Sequence, residues 1–275
     1  MPIARHQVKR EEAGQKLQVF LHQKVGLSVR RVKALIDRNQ CRVNGRLERF
    51  GCTVVREGDT IELVVGAELE TKPKVVFEDD HLLVLNKPAG MPVSKVDQGL
   101  LCHRLDRDTS GLLIIAKSEE VQKKTEKLFK ERLVKKRYLA LVDGVPRDER
   151  GTVDNRLGSV ARLDGQTIYG AKKNGQRAVT YWQVVESFAD AAYVRCHPET
   201  GRTHQIRVHL AGLGHPLLGD GQYSRRFRCK MRVPRHMLHA ERVILPHPVT
   251  GEKLVLTCPP PADFRQALKE LRCGS

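Results

Sequence analysis

The apolar residues near the start of the chain recur with a helical period. Leu17, Phe20 and Leu21 fall on one helical face, and Gly26 ends this pattern. A second apolar stripe with helical spacing begins after Ser28, which is a candidate N-cap. Short strand-like runs follow, separated by the turn signals Asn-Gly and Glu-Gly-Asp. This pattern predicts a small α+β module over residues 15–66.

A different pattern begins after a polar stretch. Residues 67–74 are charged and contain Pro73, which predicts a linker. Beyond it, short apolar runs predict strands at 75–77, 82–85, 112–116, 138–142, 179–185, 191–196, 243–245 and 254–256. Amphipathic stretches predict helices at 121–133, 203–213 and 264–271. Strands and helices do not alternate strictly, so residues 75–275 are expected to form a mixed α+β domain.

The charge balance narrows the classes of partner. Lys and Arg total 49 against 32 Asp and Glu, which gives a formal net charge of +17. Such a surface attracts polyanions, and RNA, DNA and anionic membranes all satisfy that condition. A membrane-spanning helix is not expected, because no apolar run approaches the roughly 18 residues it needs. The N-terminus lacks the apolar region of a signal peptide, and the seven cysteines are scattered. We therefore expect a cytoplasmic protein with reduced thiols.

Basic residues are concentrated in the N-terminal module. Positions 30–49 contain seven basic and two acidic residues. Such a run is either a solvated helix face or a nucleic-acid contact. The basic helix and the stretch CRVNGRLERFGCTVVREGDTIEL resemble the S4 RNA-binding module, in which the helix and following turn grip RNA phosphates. The resemblance implies RNA contacts by Arg30, Arg31, Lys33, Arg38 and Arg42.

Two polar clusters carry candidate chemistry. The first is HRLDRDTSG at 103–111, which places two carboxylates, Asp106 and Asp108, and two guanidiniums within five residues just before an apolar strand. The second is TGRTHQIRVHL at 200–210, where Thr203, Arg207 and Leu210 share one helical face. Arg207 could pair with a carboxylate, hold it ionised and orient it. The alternatives are a surface ion-pair turn for the first cluster and a basic surface helix for the second.

Metal and nucleotide-cofactor chemistry find no support in the sequence. His204 and His209 are five residues apart, and His236 and His239 occur without a His-Glu-x-x-His motif. The chain has neither a Gly-x-x-x-x-Gly-Lys-Ser/Thr loop nor a Gly-x-Gly-x-x-Gly loop. We therefore expect no metal and no cofactor.

Five stretches in order resemble the motifs of the RluA-type pseudouridine synthases. They are NKPAGMPVS (86–94), HRLDRDTSGLLIIAK (103–117), KKRYLALVDG (135–144), ETGRTHQIRVHLAGLGHPLLGDGQY (199–223) and MLHAERVILPHPVTGEKLVLTCPPPADF (237–264). The resemblance spans nearly all of 75–271 and implies a catalytic domain with a mainly antiparallel sheet. The segment KVDQGLLC between the first two motifs is shorter than is usual in the family.

This resemblance implies roles for individual residues. Asp106 matches the catalytic carboxylate, which acts either as a nucleophile on the ribose C1′ or as a base on C2′. Arg207 matches the arginine that pairs with it, and Tyr138 matches the tyrosine that packs on the target base. Arg104 matches the arginine that enters the RNA stack when the uridine leaves, and Ile206 and Leu210 are expected to wall the base pocket. Asp108 is the structural alternative to Asp106 and fits a supporting role.

The expected partner is structured RNA. Residues 225–235 carry six basic residues and no acid, and we expect Arg225, Arg226 and Arg228 to contact RNA. Large-subunit ribosomal RNA is favoured over transfer RNA by analogy with family members that carry an S4 module. The alternative is a non-catalytic RNA-binding or assembly factor on the same fold. A DNA-binding regulator has little support, and we expect the chain to act as a monomer.

Overall fold

A computed structural model describes residues 3–37, 40–64, 72–95, 98–163, 166–224 and 226–274. The chain divides into two compact units. The first comprises Met1–Glu68 and Arg232–Arg235, and the second comprises Leu69–Met231 and His236–Ser275. Much of the predicted linker at 67–74 lies outside the described residues.

The first unit packs two helices on a small antiparallel sheet. Its elements are β1 (Ile3–Gln7), α1 (Leu17–Val25), α2 (Val29–Asp37), β2 (Cys41–Val43), β3 (Arg46–Glu48) and β4 (Thr60–Val64), with the strand order β1-β4-β2-β3. Gly26 ends α1 at φ 65°, in the left-handed region that favours glycine. Leu17, Phe20 and Leu21 are fully buried in the core, as the helical spacing predicts. Strand β1 precedes the start of the predicted module at residue 15.

The second unit is built on an eleven-stranded sheet. Its strands are β5 (Lys74–Glu78), β6 (Leu82–Lys87), β7 (Leu100–Leu101), β8 (Ser110–Ala116), β9 (Lys135–Asp143), β10 (Arg150–Leu163), β11 (Gln166–Ala171), β12 (Gln176–Ser187), β13 (Ala191–Pro198), β14 (Leu238–Pro246) and β15 (Lys253–Thr257). The order along the sheet is β11-β10-β12-β13-β9-β14-β8-β6-β5, with β15 on β14 and β7 on β8. Only the β8–β14 pair is parallel among the described strands. The expected mixed, mainly antiparallel α+β fold is therefore confirmed.

Among the described residues, the second unit has three α-helices, which are α3 (Glu119–Lys130), α4 (Gln205–Gly212) and α5 (Ala262–Cys273), and a short 3-10 helix at Val93–Lys95. Helix α3 begins after the N-cap Ser118, whose side chain accepts a hydrogen bond from the Val121 N–H. It ends before the predicted residue 133 because Arg132 has φ 62°. Helix α4 starts at Gln205 rather than at the predicted 203 because His204 has φ 56°.

Strand β8 is the centre of the core. All seven of its residues are buried. Leu112 and Ile114 pack in one hydrophobic cluster and Leu113 and Ile115 in another. A strand buried on both faces reads as a continuous apolar run, which is why the sequence predicts it well. Its rigidity fixes the position of the polar loop that precedes it.

The β10–β11 hairpin was not predicted. Along β10 the residues before Leu157 alternate between half-buried and exposed, so the strand shows no apolar face in the sequence. Its existence depends on pairing with β12 rather than on a hydrophobic pattern.

All seven cysteines are free thiols, and five of them are buried. None of the described helices is long and apolar enough to cross a membrane.

Candidate active site

The loop before β8 is held in place by its neighbours. The Thr109 N–H donates to the Asp106 carbonyl at 3.1 Å, which closes a tight turn. The Thr109 hydroxyl lies 2.9 Å from His236 Nε2. Gly111 has φ 118°, and a Cβ there would overlap the Ala240 backbone, so only glycine allows β8 to approach β14 this closely. The loop carrying Asp106 is therefore fixed at both its turn and its exit.

A buried lysine connects the first motif to the same loop. Lys87 is fully buried at the end of β6, and its Nζ donates to the carbonyls of Pro88 at 2.8 Å, Met91 at 2.9 Å and Arg107 at 2.9 Å. The Gly90 N–H also donates to the Arg107 carbonyl, at 2.9 Å. The sequence showed Lys87 only as part of a motif, and its positioning contacts were not predicted.

The structure brings Arg207 to Asp106. Arg207 lies in the first turns of α4, and its Nη1 donates to Asp106 Oδ2 at 3.1 Å. The Arg207 side chain is 6% exposed and that of Asp106 is 17% exposed, and both residues line the same cleft. The guanidinium stabilises the negative charge of the carboxylate and fixes its orientation.

Two further residues anchor Arg207 from the other side. Asp220, whose side chain is 1% exposed, accepts from Arg207 Nε at 2.7 Å and from Nη2 at 2.9 Å. Gln222 Oε1 accepts from Nη2 at 2.8 Å. Burial alone would lower the pKa of Arg207, but the charges of Asp220 and Asp106 raise it above its usual value. Burial alone would raise the pKa of Asp220, but Arg207 outweighs this and lowers it to about 2.

Neither Asp220 nor Gln222 was predicted. The sequence does contain an acidic residue in the GDGQY stretch after α4, and Arg207 on that helix would need a counter-ion if it were buried. Spacing alone could not show that this stretch folds back onto α4.

His204 is a second group close to Asp106. Its Nε2 lies 3.9 Å from Asp106 Oδ1, and its Nδ1 lies 2.7 Å from the Tyr223 hydroxyl. The Tyr223 oxygen also accepts from the Tyr169 N–H at 3.2 Å, so the hydroxyl that holds the His204 ring is itself anchored. Burial, followed by the charge of Arg207, lowers the pKa of His204 to about 4. A neutral imidazole thus lies beside the Asp106 carboxylate.

Tyr138 and apolar side chains form the walls of the cleft. Tyr138 lies on β9, and burial together with the nearby Asp106 charge raises its pKa, so the phenol keeps its proton. Leu105, Ile206 and Leu238 line the same cleft, and so does the exposed Arg104. A cleft that combines an aromatic ring, a carboxylate and apolar side chains suits a planar base.

Leu210 does not lie where it was expected. It is one turn further along α4 and is buried in the core with Val194 and Leu217. It is not among the residues that line the cleft, so its assignment as a pocket wall is corrected. Helix α4 turns the Leu210 side chain towards the sheet, whereas Ile206 lines the cleft.

Asp108 has a separate environment. It is buried and accepts from Arg107 Nε at 3.2 Å and Nη2 at 3.3 Å. Unlike Asp106 it does not line the cleft. Its supporting role stays a prediction.

The basic residues expected to contact RNA are found in both units. In the first unit Arg30, Arg31 and Lys33 are exposed on α2, whereas Arg42 is half-buried and donates to the Gly45 carbonyl at 2.9 Å. In the second unit Arg226 and Arg228 are exposed. Arg38 and Arg225 lie outside the described residues.

Comparison with known proteins adds independent findings. A family model described as RNA pseudouridylate synthase matches residues 81–212. The chain is 36% identical over 251 residues, 78% of its length and 72% of the relative's, to ribosomal large subunit pseudouridine synthase D of Nitrosomonas europaea. It is 31% identical to the protein of the same name from Haemophilus influenzae. That alignment is 307 positions long and covers 97% of this chain and 94% of the relative. The solved structure of human RNA pseudouridylate synthase domain containing 4 aligns with a TM-score of 0.61 at 32% identity, covering 72% of this chain and 92% of that one.

Proposed function

This chain belongs to the RNA pseudouridylate synthase family, and on that premise we propose that it converts uridine to pseudouridine in large-subunit ribosomal RNA with Asp106 as the catalytic carboxylate. The observation that carries the assignment of Asp106 is its pairing with the buried Arg207 at the floor of a cleft that Tyr138 also lines. The reaction breaks the bond between N1 and the ribose C1′ and forms a bond between C5 and C1′. Carbon 5 loses its proton and N1 gains one, so atoms and electrons balance without a co-reactant.

The cleft offers a group for each part of this reaction. Asp106 attacks C1′ or removes a proton from C2′, and in both cases it must be ionised and oriented, which its pairing with Arg207 supports. Tyr138 packs on the base, and its protonated phenol is in reach of proton exchange at C5. Ile206 supplies an apolar wall for the base. Arg104, exposed at the rim, takes the place of the uridine in the RNA stack.

The choice of RNA follows from the relatives and from charge. The two curated relatives described above are named for the large ribosomal subunit. The net charge of +17 and the exposed cations of α2 and of residues 226–228 supply phosphate contacts. We assign the N-terminal unit a role in RNA binding and place the protein in the cytoplasm, where ribosomal RNA is made in bacteria. Transfer RNA is the alternative substrate.

The test is to map pseudouridine in cells with and without this gene. Carbodiimide modification followed by primer extension reads every uridine of the ribosomal and transfer RNAs. We expect one or more large-subunit sites to vanish without the gene, to return with the wild type and to stay absent with Asp106→Ala. Sites confined to transfer RNA would overturn the substrate assignment. Restoration by the variant, or no change at any site, would leave the non-catalytic RNA-binding alternative.

A further inference from the structure

Lys136 is a cationic group in the cleft for which the proposed reaction has no use. Lys136 and Tyr138 are two apart on β9, so their side chains leave the same face of the strand, about 7 Å apart along it. Both line the cleft that contains Asp106. Lys136 is half-buried, and its Nζ donates to the Thr200 carbonyl at 3.0 Å. The Phe129 ring centroid lies 6.0 Å from Nζ, and the two ammonium protons that are not committed to Thr200 have no hydrogen-bond acceptor among the described residues.

The charges around Lys136 are positive. Arg202 lies on the same cleft and is held by the Arg177 carbonyl, 3.1 Å from its Nε, and by Gln176 Oε1, 2.8 Å from its Nη1. Burial and the charge of Arg202 lower the pKa of Lys136 to about 8. Within the described parts of the chain, neither cation forms an ion pair with a carboxylate. A half-buried cation without a counter-ion costs free energy that a bound anion would recover.

Gly201 lies next to Arg202 in the chain, and its backbone conformation does not require glycine. It is exposed, and its backbone is not in the left-handed region. A Cβ built on Gly201 would have one neighbour, Lys136 Nζ at 3.8 Å. Alanine would therefore fit here, but a larger side chain would cover the ammonium group. Glycine at this position keeps the cation and the backbone open to a ligand.

We propose that Lys136, Arg202 and the bare backbone at Gly201 form a subsite for a phosphodiester of the RNA beside the target uridine. The proposal rests on the proposed function, because the base stacked on Tyr138 sets which phosphate reaches Lys136. The separation of about 7 Å along β9 is of the order of the distance between a base and its own phosphates. Lysine suits this task because its compact charge binds a phosphate oxygen without requiring one fixed orientation.

The first experiment measures binding without turnover. All variants carry Asp106→Asn, and the probe is an in vitro transcript of large-subunit ribosomal RNA. We expect Lys136→Met to weaken binding about tenfold to a hundredfold, as for loss of a charge-assisted hydrogen bond. Lys135→Met is the matched control, because it removes the same charge from an exposed position on the opposite face of β9. It should weaken binding less than about threefold. Equal losses in the two variants would overturn the proposal.

The second experiment locates the phosphate. Transcripts ethylated at random phosphates are separated into bound and free fractions, which shows where loss of one charge prevents binding. We expect interference at a phosphate next to a uridine with the Lys135→Met protein, and its disappearance with the Lys136→Met protein. Identical patterns would contradict the subsite. Neither experiment needs catalysis, so a protein that makes no pseudouridine would refute the proposed function while leaving this result readable.

Two further variants guard against a folding defect. Lys136→Arg keeps the charge and should bind within about threefold of the parent. Gly201→Leu keeps every charge but covers the ammonium group, and because Gly201 is exposed the variant should unfold at the parental urea concentration. It should nevertheless lose binding as Lys136→Met does. Parental binding by Gly201→Leu would contradict the proposal even if Lys136→Met does not fold.

Discussion

Replacing Asp220 by asparagine tests the arrangement that orients the catalytic carboxylate. Asp220 and Arg207 form two hydrogen bonds of 2.7 and 2.9 Å, and their side chains are 1% and 6% exposed. Asp220→Asn keeps the shape but removes the charge, so the buried guanidinium loses its main counter-ion. Removing one partner of a buried pair costs about 3–5 kcal/mol. With a urea m-value of about 2–3 kcal/mol per molar, the unfolding midpoint should fall by about 1–2.5 M.

The chain supplies a matched control for this change. Asp154 forms the same two-bond pair with Arg177, at 3.1 and 2.7 Å, but these side chains are 46% and 53% exposed. Because solvent screens exposed pairs, Asp154→Asn should cost less than about 1 kcal/mol and move the midpoint by less than about 0.5 M. Equal shifts in the two variants would refute the argument from burial.

Turnover should separate the two variants as well. Arg207 orients Asp106 only while Asp220 and Gln222 hold its far side. We expect Asp220→Asn to lower kcat about tenfold or more in single-turnover assays on ribosomal RNA, since a misplaced catalytic group loses rate steeply. Asp154→Asn should turn over at the wild-type rate. Wild-type kcat in Asp220→Asn would show that Arg207 does not depend on this anchor.

Three further predictions concern the same region. Gly111→Ala should destabilise the protein by more than about 2 kcal/mol in urea unfolding, because the φ of 118° and the Ala240 backbone exclude a side chain. The control Gly212→Ala, whose added Cβ meets nothing within 4 Å, should change stability by less than about 1 kcal/mol, and equal effects would contradict the close approach of the strands. Tyr223→Phe removes the hydroxyl that is hydrogen-bonded to His204 and should lower kcat about tenfold, with KM little changed. An unchanged kcat would show that the orientation of His204 does not affect turnover. Burial lowers the pKa of His204 and His209 to about 4, below the ordinary value of 6.5, so the unfolded chain binds protons more readily than the folded one. The urea midpoint should therefore fall as the pH drops from 6.5 towards 4, and a flat midpoint over that range would count against neutral buried imidazoles.

The sequence predicted those elements whose burial is continuous or periodic. Strand β8 and helix α5 were recognised because an apolar run or stripe marks a buried face. The β10–β11 hairpin was missed because its exposed residues give no such signal. The start of α4 was misplaced because the left-handed backbone of His204 reflects tertiary contacts that local propensity does not encode.

The candidate site could be predicted only as far as its motifs extended. The pairing of Arg207 with a carboxylate followed from chemistry and resemblance, and the structure brings Arg207 to Asp106. Asp220 was missed because no spacing rule shows that its segment folds back onto Arg207. Lys87 was missed because its partners are backbone carbonyls, which the sequence does not identify. The assignment of Leu210 failed because helical spacing gives a shared face but not which neighbour that face meets.

Asp106, and not its neighbour Asp108, is the residue that we propose carries the reaction. The most direct measurement uses purified full-length protein and large-subunit ribosomal RNA transcribed with uridine tritiated at carbon 5, since that hydrogen leaves when carbon 5 bonds to the ribose. The wild type should release tritium, Asp106→Asn should release none above background while still binding the RNA, and Asp108→Asn should retain turnover. Release of tritium by Asp106→Asn at the wild-type rate would contradict the assignment of Asp106 as the catalytic carboxylate.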